Sequence, residues 1–325
     1  LGDVYKRQTK LRGMLEIVSS ASEFETVPIR RHEDVLLRRI YDRMPLKLDK
    51  IQFENPFHKT FVLLQAHFSR LTLPADLAQD QRDILNRVLT LLNACVDVMS
   101  SGAMLNAIVA MEISHMCVQA VWDRDSPLRQ VPHFTAATIQ RCQARGIHDV
   151  YALADVLPDM SQHERDELLQ LNKRQLADVA TLTNEFPYVD IEFDILDKEK
   201  LDSASTIILQ AKLERDVDEE EEEPSDPTAI APFYPSPKMT AWWLVIGDPG
   251  TNSLLSIKRV TIAKTLDVRL EFMLPAGMHD KLKLYLMCDS YIGADRELEV
   301  PALHVAQGEE DEELDDEDNI EMPDA

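Results

Sequence analysis

The sequence has few cysteines, and none of them are spaced as metal ligands. Cysteine occurs four times in 325 residues, and no two cysteines are separated by only two residues. This argues against a disulfide-stabilised scaffold and against a structural zinc site, which need more cysteines or closer ones. No apolar run approaches the ~18 residues of a membrane-spanning helix, and no secretory leader opens the sequence. We therefore expect no membrane association and no secretion.

The motifs of the common nucleotide- and metal-dependent enzymes are absent as well. There is no GxxxxGK[ST] phosphate loop, no GxGxxG or GxSxG turn and no HExxH zinc motif. The nine histidines are scattered. We expect structural roles for His67 and His115, which lie in apolar helical stretches, and for Cys288 on the inward face of a strand. The sequence thus predicts no catalytic residue, no cofactor and no metal.

Most of the excess negative charge lies in two short stretches. The formal net charge is −24, although residues 1–187 hold 22 Lys and Arg against 24 Asp and Glu. Residues 214–226 carry nine acids and one base, and residues 309–325 carry eleven acids. Because such dense like charges repel one another, we predict a disordered insert at 214–227 and a disordered tail at 307–325. Their role is solubility, binding of a basic partner, or repulsion of RNA.

The rest of the sequence divides into a helical part and a strand-forming part. Residues 1–187 contain only four glycines, and their prolines fall between apolar-periodic runs, as is typical of helices. The leucine at position 1 indicates a piece of a longer protein, and residues 1–8 fit the helical pattern poorly. We predict helices around 11–18 and at about 31–44, 57–71, 75–100, 103–122, 135–145, 148–155, 161–170 and 172–185.

The longest predicted helix carries the most information. Between Ile84 and Met99 its apolar residues cover most of the helix circumference, which predicts a central position in a bundle. Its polar residues recur every three or four positions and form one narrow stripe, made of Arg82, Asn86, Thr90, Asn93 and Asp97. One interpretation is a plain solvent strip. The other is a surface that faces single-stranded RNA, which the first four residues would contact and Asp97 would repel.

Residues 188–306 change to a period of two, as is typical of strands with one buried face. Apolar and polar residues alternate in about seven segments, and the acidic insert falls between the second and the third. Trp242 or Trp243 is expected to be the core aromatic residue of a middle strand. Seven such strands suggest an antiparallel β-sandwich. They centre on 191–195, 207–214, 242–246, 254–260, 268–274, 282–288 and 298–305.

Six segments together form a distinctive pattern: LRGMLEIVSSASEFETVPIRRHEDVLLRRI (11–40), KTFVLLQAHFSRL (59–71), ACVDVMSS (94–101), QVPHFT (130–135), WWLVIGDPGTNSLLSIKR (242–259) and CDSYIG (288–293). They resemble the Sec63-type unit, which is appended to Ski-two-like nucleic-acid helicases and occurs in a translocation protein of the endoplasmic reticulum. The resemblance covers residues 9–305. It is most specific for the unit in the C-terminal cassette of spliceosomal helicases of the U5 snRNP.

The resemblance implies an α+β fold in four parts. An all-α helical bundle would occupy residues 1–125, and a helix-hairpin-helix-like module would occupy 126–187. An immunoglobulin-like β-sandwich of the fibronectin type III kind would follow at 188–306, with the acidic insert 214–227 inside it. The acidic tail, 307–325, would end the chain.

The same resemblance implies a non-catalytic accessory and protein-docking module of a spliceosomal ATP-dependent RNA helicase, which supports pre-mRNA splicing in the nucleus. The motor domains are absent from the sequence, so any ATPase activity would belong to upstream parts of such a helicase. The implied partners are those motor domains in cis, other spliceosomal proteins and, weakly, single-stranded RNA. The alternatives are the equivalent interaction domain of the endoplasmic-reticulum J-domain translocation protein, a helicase of coactivator or meiotic type, and an independent soluble enzyme.

Overall fold

The computed structural model of the chain describes residues 2–217 and 227–308, with side chains from residue 10 onward. The predicted acidic tail lies outside the described residues except for 307 and 308. The predicted acidic insert lies outside them except at its two ends.

Nine α-helices occupy the first part of the described chain, and the predicted helices after the first lie within a few residues of their expected bounds. The first begins at Gly2, nine residues before the expected start, so it includes residues that the sequence pattern separated from it. The helices are α1 (Gly2–Ser19), α2 (Asp34–Arg43), α3 (Pro56–Phe68), α4 (Ala75–Ser101), α5 (Ala107–Gln119), α6 (Ala136–Ala144), α7 (Val150–Val156), α8 (Gln162–Leu169) and α9 (Lys173–Glu185).

Local sequence signals explain where several of these helices begin and end. Asn55 accepts hydrogen bonds from two backbone N–H groups in the first turn of α3, and Ser161 forms a capping box with Glu164 at α8. These caps satisfy N–H groups that a first turn leaves unpaired. Gly146 follows α6 with a φ of +79°, a conformation that glycine adopts without the strain that a Cβ brings, so glycine suits the position where the chain reverses.

The strands follow in the second part of the described chain, and every named pair is antiparallel. The strands are β1 (Val189–Ile195), β2 (Ile207–Arg215), β3 (Trp242–Asp248), β4 (Ser253–Val260), β5 (Thr265–Phe272), β6 (Gly277–His279), β7 (Lys283–Cys288), β8 (Arg296–Glu299) and β9 (Leu303–Val305). The sheet orders are β1-β2-β5, β4-β3-β7-β8 and β6-β9. The seventh predicted segment divides into two strands, and the short β6 was not predicted.

The start of the predicted acidic insert is a strand rather than a disordered loop. Glu214 pairs with Asp190 of β1 and with Thr265 of β5, and the backbone N–H of Asp216 donates to the carbonyl of Tyr188. Ladder hydrogen bonds on both sides hold this backbone. The prediction of disorder from residue 214 was therefore wrong for the first residues of the insert.

The middle strands of the four-stranded sheet are buried on both faces, where the sequence analysis expected one. Trp242 packs in a core between the two larger sheets, and its neighbour Trp243 packs in the core of helices α1–α5. The two tryptophans are only 2% and 3% exposed. The sheet is therefore a shared layer between the bundle and the three-stranded sheet. The continuous apolar run WWLVI is the pattern expected of a strand covered on both sides.

Backbone contacts join the bundle to this sheet. The N–H of Leu105, in the turn between α4 and α5, donates to the carbonyl of Asn252, and the N–H of Leu254 donates to the carbonyl of Ala103. A Cβ on Gly247 would lie 2.6 Å from Leu105 Cδ1. Only glycine lets the helical turn approach β3 so closely.

The helix α4 is not central in the bundle, in contrast to the prediction. Its buried residues form one face, which includes Leu85, Val88 and Leu92, and the opposite face is open to solvent. Val98 belongs to the apolar residues that the sequence pattern predicted to be buried, but it is 73% exposed. The sequence pattern overestimated burial because apolar residues of α4 also line a surface groove.

Candidate functional site

The predicted polar stripe lies on the open face of α4. Arg82, Asn86, Thr90 and Asn93 are all exposed, and so is Asp97. The guanidinium of Arg82 donates to Gln79 Oε1 at 2.6 Å, one turn earlier on the same helix. The structure thus brings the predicted residues together on one surface, in the i, i+4 arrangement that aligns side chains along a helix.

A proline-rich segment crosses the beginning of this stripe. We call residues 227–241 the strap. Its ends pair with each other through an antiparallel bridge between Thr228 and Met239. From its tip, Ser236 Oγ donates to Asn86 Oδ1 at 2.8 Å, and Tyr234 Oη donates to the carbonyl of Leu85 at 3.0 Å. The strap therefore engages the polar stripe at Asn86, a contact that the sequence analysis did not predict.

The strap also contacts the end of α3. The ring of Phe233 lies 4.0 Å from the guanidinium carbon of Arg70. Arg70 itself donates to three backbone carbonyls, those of Gln119, Ala120 and Arg129. Burial lowers the pKa of Arg70 to about 10. Through Nε and Nη2 it bonds the backbone, and its guanidinium stacks on Phe233, so Arg70 holds the strap and the helices together.

An apolar groove opens on the other side of α4. It has a volume of about 590 Å³ and runs between α1 and α4, with the start of α5 as its floor. Ile17 is 62% exposed, Val98 73% and Met104 41%. Exposed apolar groups gathered in one depression are typical of a surface that another protein covers. The groove is lined mainly by Gly13, Met14, Ile17, Val18, Leu91, Ala94, Cys95, Val98, Met99, Met104, Asn106 and Val109.

One polar atom in the groove lacks a partner. Asn106 Oδ1 is buried, and the described residues supply no hydrogen-bond donor to it. A buried acceptor left unpaired costs about 1–3 kcal/mol. A bound partner that offered a donor at this point would recover that free energy. No sequence signal marked this groove, because its residues look like ordinary helix-packing positions.

A buried ion-pair cluster joins the start of α2 to α3 and α4. Lys59 is fully buried, and its Nζ lies 2.7 Å from Glu33 Oε1 and 2.8 Å from Asp80 Oδ2. Arg30 donates to both oxygens of Asp80, at 2.5 and 2.8 Å. Burial opposes ionisation of Asp80, but hydrogen bonds from Arg30 and Lys59 outweigh it, so its pKa lies below the ordinary value. The four charges balance, which makes the cluster a structural clamp.

The other side chains considered in the sequence are internal. His67 Nε2 lies 2.7 Å from the carbonyl oxygen of Cys117, and burial lowers the pKa of this histidine to about 4. His115 Nδ1 lies 3.3 Å from the carbonyl oxygen of Cys288. Burial raises the pKa of the Cys288 thiol. These positions agree with the structural roles expected for the three residues.

Two other kinds of site concern membranes and metals. Within residues 2–217 and 227–308, no helix has the length and apolar character that crossing a bilayer requires. Across the same described ranges, no group of three or more His, Cys, Asp or Glu side chains could hold a metal ion.

In comparison with known proteins, the family model of the Sec63 Brl domain matches residues 2–301. The pre-mRNA-splicing factor brr2 of Schizosaccharomyces pombe is 46% identical over 293 residues, which are 90% of this chain and 13% of that protein. The U5 small nuclear ribonucleoprotein 200 kDa helicase of Homo sapiens is 42% identical over 309 residues, or 95% of this chain and 14% of the helicase.

A further relative carries a different name. The activating signal cointegrator 1 complex subunit 3-like protein of Dictyostelium discoideum is 39% identical over 305 residues, covering 92% of this chain and 14% of that protein. The chain therefore spans only 13–14% of the length of these curated relatives.

Proposed function

The chain belongs to the Sec63 Brl domain family, and we propose that it is a non-catalytic accessory and docking module of a spliceosomal ATP-dependent RNA helicase. Similarity to a pre-mRNA-splicing factor and to a U5 snRNP helicase supports the spliceosomal assignment. It also favours the helicase over the alternative, the J-domain protein of endoplasmic-reticulum translocation. The proposal places the protein in the nucleus, where it serves pre-mRNA splicing.

The proposed architecture assigns a role to each part. The bundle over residues 1–125 docks to the motor domains, and the module over 126–187 braces the bundle against the strands. Residues 188–306 form an immunoglobulin-like sandwich of the fibronectin type III kind. The shared core of the two larger sheets supports this last assignment. For the acidic insert and the acidic tail, the proposed roles are solubility, contact with a basic partner or repulsion of RNA.

The observation that carries the docking role is the apolar groove between α1 and α4. Its exposed aliphatic side chains and its unpaired Asn106 oxygen would both gain from a partner surface. The proposed occupant is the motor part of the same polypeptide, because the matched relatives carry this unit as about one seventh of a longer chain. Other spliceosomal proteins are the further proposed partners.

Substitution of Val98 by glutamate tests this docking. Val98 is 73% exposed, so the isolated chain should fold normally, but a carboxylate buried against a partner should weaken binding at least about tenfold. The measurement is sedimentation of this chain with the motor portion of the fission yeast relative. Val35→Glu is the matched control, because Val35 is 52% exposed on α2, away from the groove.

Unchanged binding by Val98→Glu would exclude the groove as the docking surface. In the same preparation, the isolated chain should neither hydrolyse ATP nor be stabilised by ATP with Mg²⁺. Turnover by the chain alone would contradict a non-catalytic module.

A second proposed function is weak contact between the polar stripe and single-stranded RNA. The exposed alignment of Arg82, Asn86, Thr90 and Asn93 supports it, and the acidic Asp97 opposes it. If the stripe contacts RNA, binding of a labelled oligouridylate should fall steeply as salt rises. Arg82→Ala should weaken it severalfold. Binding that is absent, or that is insensitive to salt and to Arg82→Ala, would leave the stripe as a solvent surface.

A further inference from the structure

The tip of the strap presents a serine in the form that proline-directed protein kinases recognise. Ser236 lies between Pro235 and Pro237, is exposed, and belongs to no helix or strand. Residues 234–236 form a bend, and each proline fixes its own φ and lacks a backbone N–H. The Ser236 hydroxyl makes one hydrogen bond, to Asn86 Oδ1 on α4. Ser236 is therefore both accessible to modification and in contact with the polar stripe.

We propose that Ser236 is a phosphorylation site and that its phosphate fixes the strap on α4. In the reaction, Ser236 Oγ attacks the γ-phosphorus of ATP bound with Mg²⁺ to a proline-directed serine/threonine kinase. The bond from that phosphorus to the bridging oxygen of ADP breaks, the hydroxyl proton passes to the kinase base, and ADP leaves. The site goes beyond the docking function and does not depend on it.

The side chains around Ser236 favour a phosphate dianion on its oxygen. Rotation of the Asn86 amide replaces its acceptor oxygen by an N–H donor facing the phosphate. Arg82 lies one turn earlier on the same helix face, exposed, with Gln79 Oε1 as a hydrogen-bond acceptor that a phosphate would outcompete. The nearest carboxylate on that part of α4 is Asp83, which accepts a hydrogen bond from Gln79. Since Asp83 repels phosphate, Asp83→Asn should strengthen the attachment of the phosphorylated strap to α4.

The chain contains a second serine followed by proline, and the structure predicts that this one stays unmodified. Ser126 caps a short 3₁₀ helix, where its Oγ accepts from the N–H of Leu128. Leu128 is fully buried, and Pro127 packs near Gly293. A kinase would have to unfold this turn to reach Ser126. The two sites share a local sequence type and differ in accessibility.

Treatment of the folded chain with a mitogen-activated protein kinase and Mg-ATP tests the site. Phosphopeptide mapping should find Ser236 modified to near completion and Ser126 unmodified. The urea-denatured chain, diluted into the same reaction, should be modified at both. An unmodified Ser236 in the folded chain, or equal modification of both serines there, would overturn the assignment.

Chymotryptic cleavage after Phe233 measures how firmly the phosphate holds the strap on α4. Phe233 is 48% exposed at the tip of the strap. Phosphorylation should slow this cleavage about fivefold, the effect of one added charge-assisted hydrogen bond. The slowing should be lost in Arg82→Ala and in Ser236→Ala, which accepts no phosphate. Equal cleavage of the phosphorylated chain would mean that the phosphate does not fix the strap, and faster cleavage would mean that it releases the strap. Either result would overturn this part of the proposal.

Discussion

Replacement of Asp80 by asparagine should lower the free energy of unfolding by about 3–5 kcal/mol. Asp80 receives both guanidinium N–H groups of Arg30 and lies 2.8 Å from the fully buried ammonium of Lys59. Asparagine has nearly the same shape but no charge, and its amide group would face donors with another donor. The cluster would then hold two cations and one anion in a buried site. Urea unfolding followed by circular dichroism measures the loss.

Two comparison variants test whether the loss of stability comes from the buried cluster. Asp83→Asn removes an exposed carboxylate three residues along the same helix, so stability should change by less than about 0.5 kcal/mol. Adding Lys59→Met to Asp80→Asn restores the charge balance between Arg30 and Glu33, so the double variant should be less destabilised than the sum of its parts. If Asp80→Asn were as stable as the unmodified chain, the cluster would not clamp the bundle.

Replacement of Trp242 by alanine should cost about 3–5 kcal/mol of stability. Its indole is 2% exposed and lies in the core between the two larger sheets. No neighbour can collapse into a space of that size, so the lost burial and the remaining cavity both count against the folded state. Thermal unfolding by calorimetry gives the change. A nearly unchanged stability would move Trp242 out of the core.

Trp243→Ala is the informative comparison, because the same residue type is removed one position away. Trp243 faces the helices, and its ring lies 3.9 Å from the guanidinium carbon of Arg259. Hydrogen exchange should separate the two variants. Trp242→Ala should raise amide exchange in β1, β2 and β5, whereas Trp243→Ala should raise it first in α5. The same exchange pattern in both variants would contradict opposite orientations of the two rings.

Periodicity was sufficient to place the helices and most strands, because most of these elements bury one face. For β3 it placed the strand at 242–246 but not its burial, because both faces are covered and alternation disappears. It failed in the opposite direction for α4, where a second apolar strip faces the groove instead of a core. In both cases the missing information is the number of layers around an element, which a single element's pattern does not contain.

The sequence contains one signal of the ion-pair cluster. Lys59 is the one cation in the apolar run FHKTFVLLQAHF, and a buried lysine needs a carboxylate. Its partners, Glu33 and Asp80, are 26 and 21 positions away, so spacing alone does not identify them. The contact between the strap and Asn86 is harder still, since 150 positions separate Ser236 from its acceptor. Only the folded chain brings such groups together.

The sheet with two covered faces sets a limit on how this unit can be divided. Removing the helices would strip one side of β3 and β7 and leave Trp243, Val245 and Met287 bare. Removing the three-stranded sheet would uncover Trp242, Leu244 and Leu286 on the other side. Either half alone would expose a wide apolar sheet face and aggregate. Recombination, truncation and domain grafting should therefore succeed only when they carry all of these elements as one block.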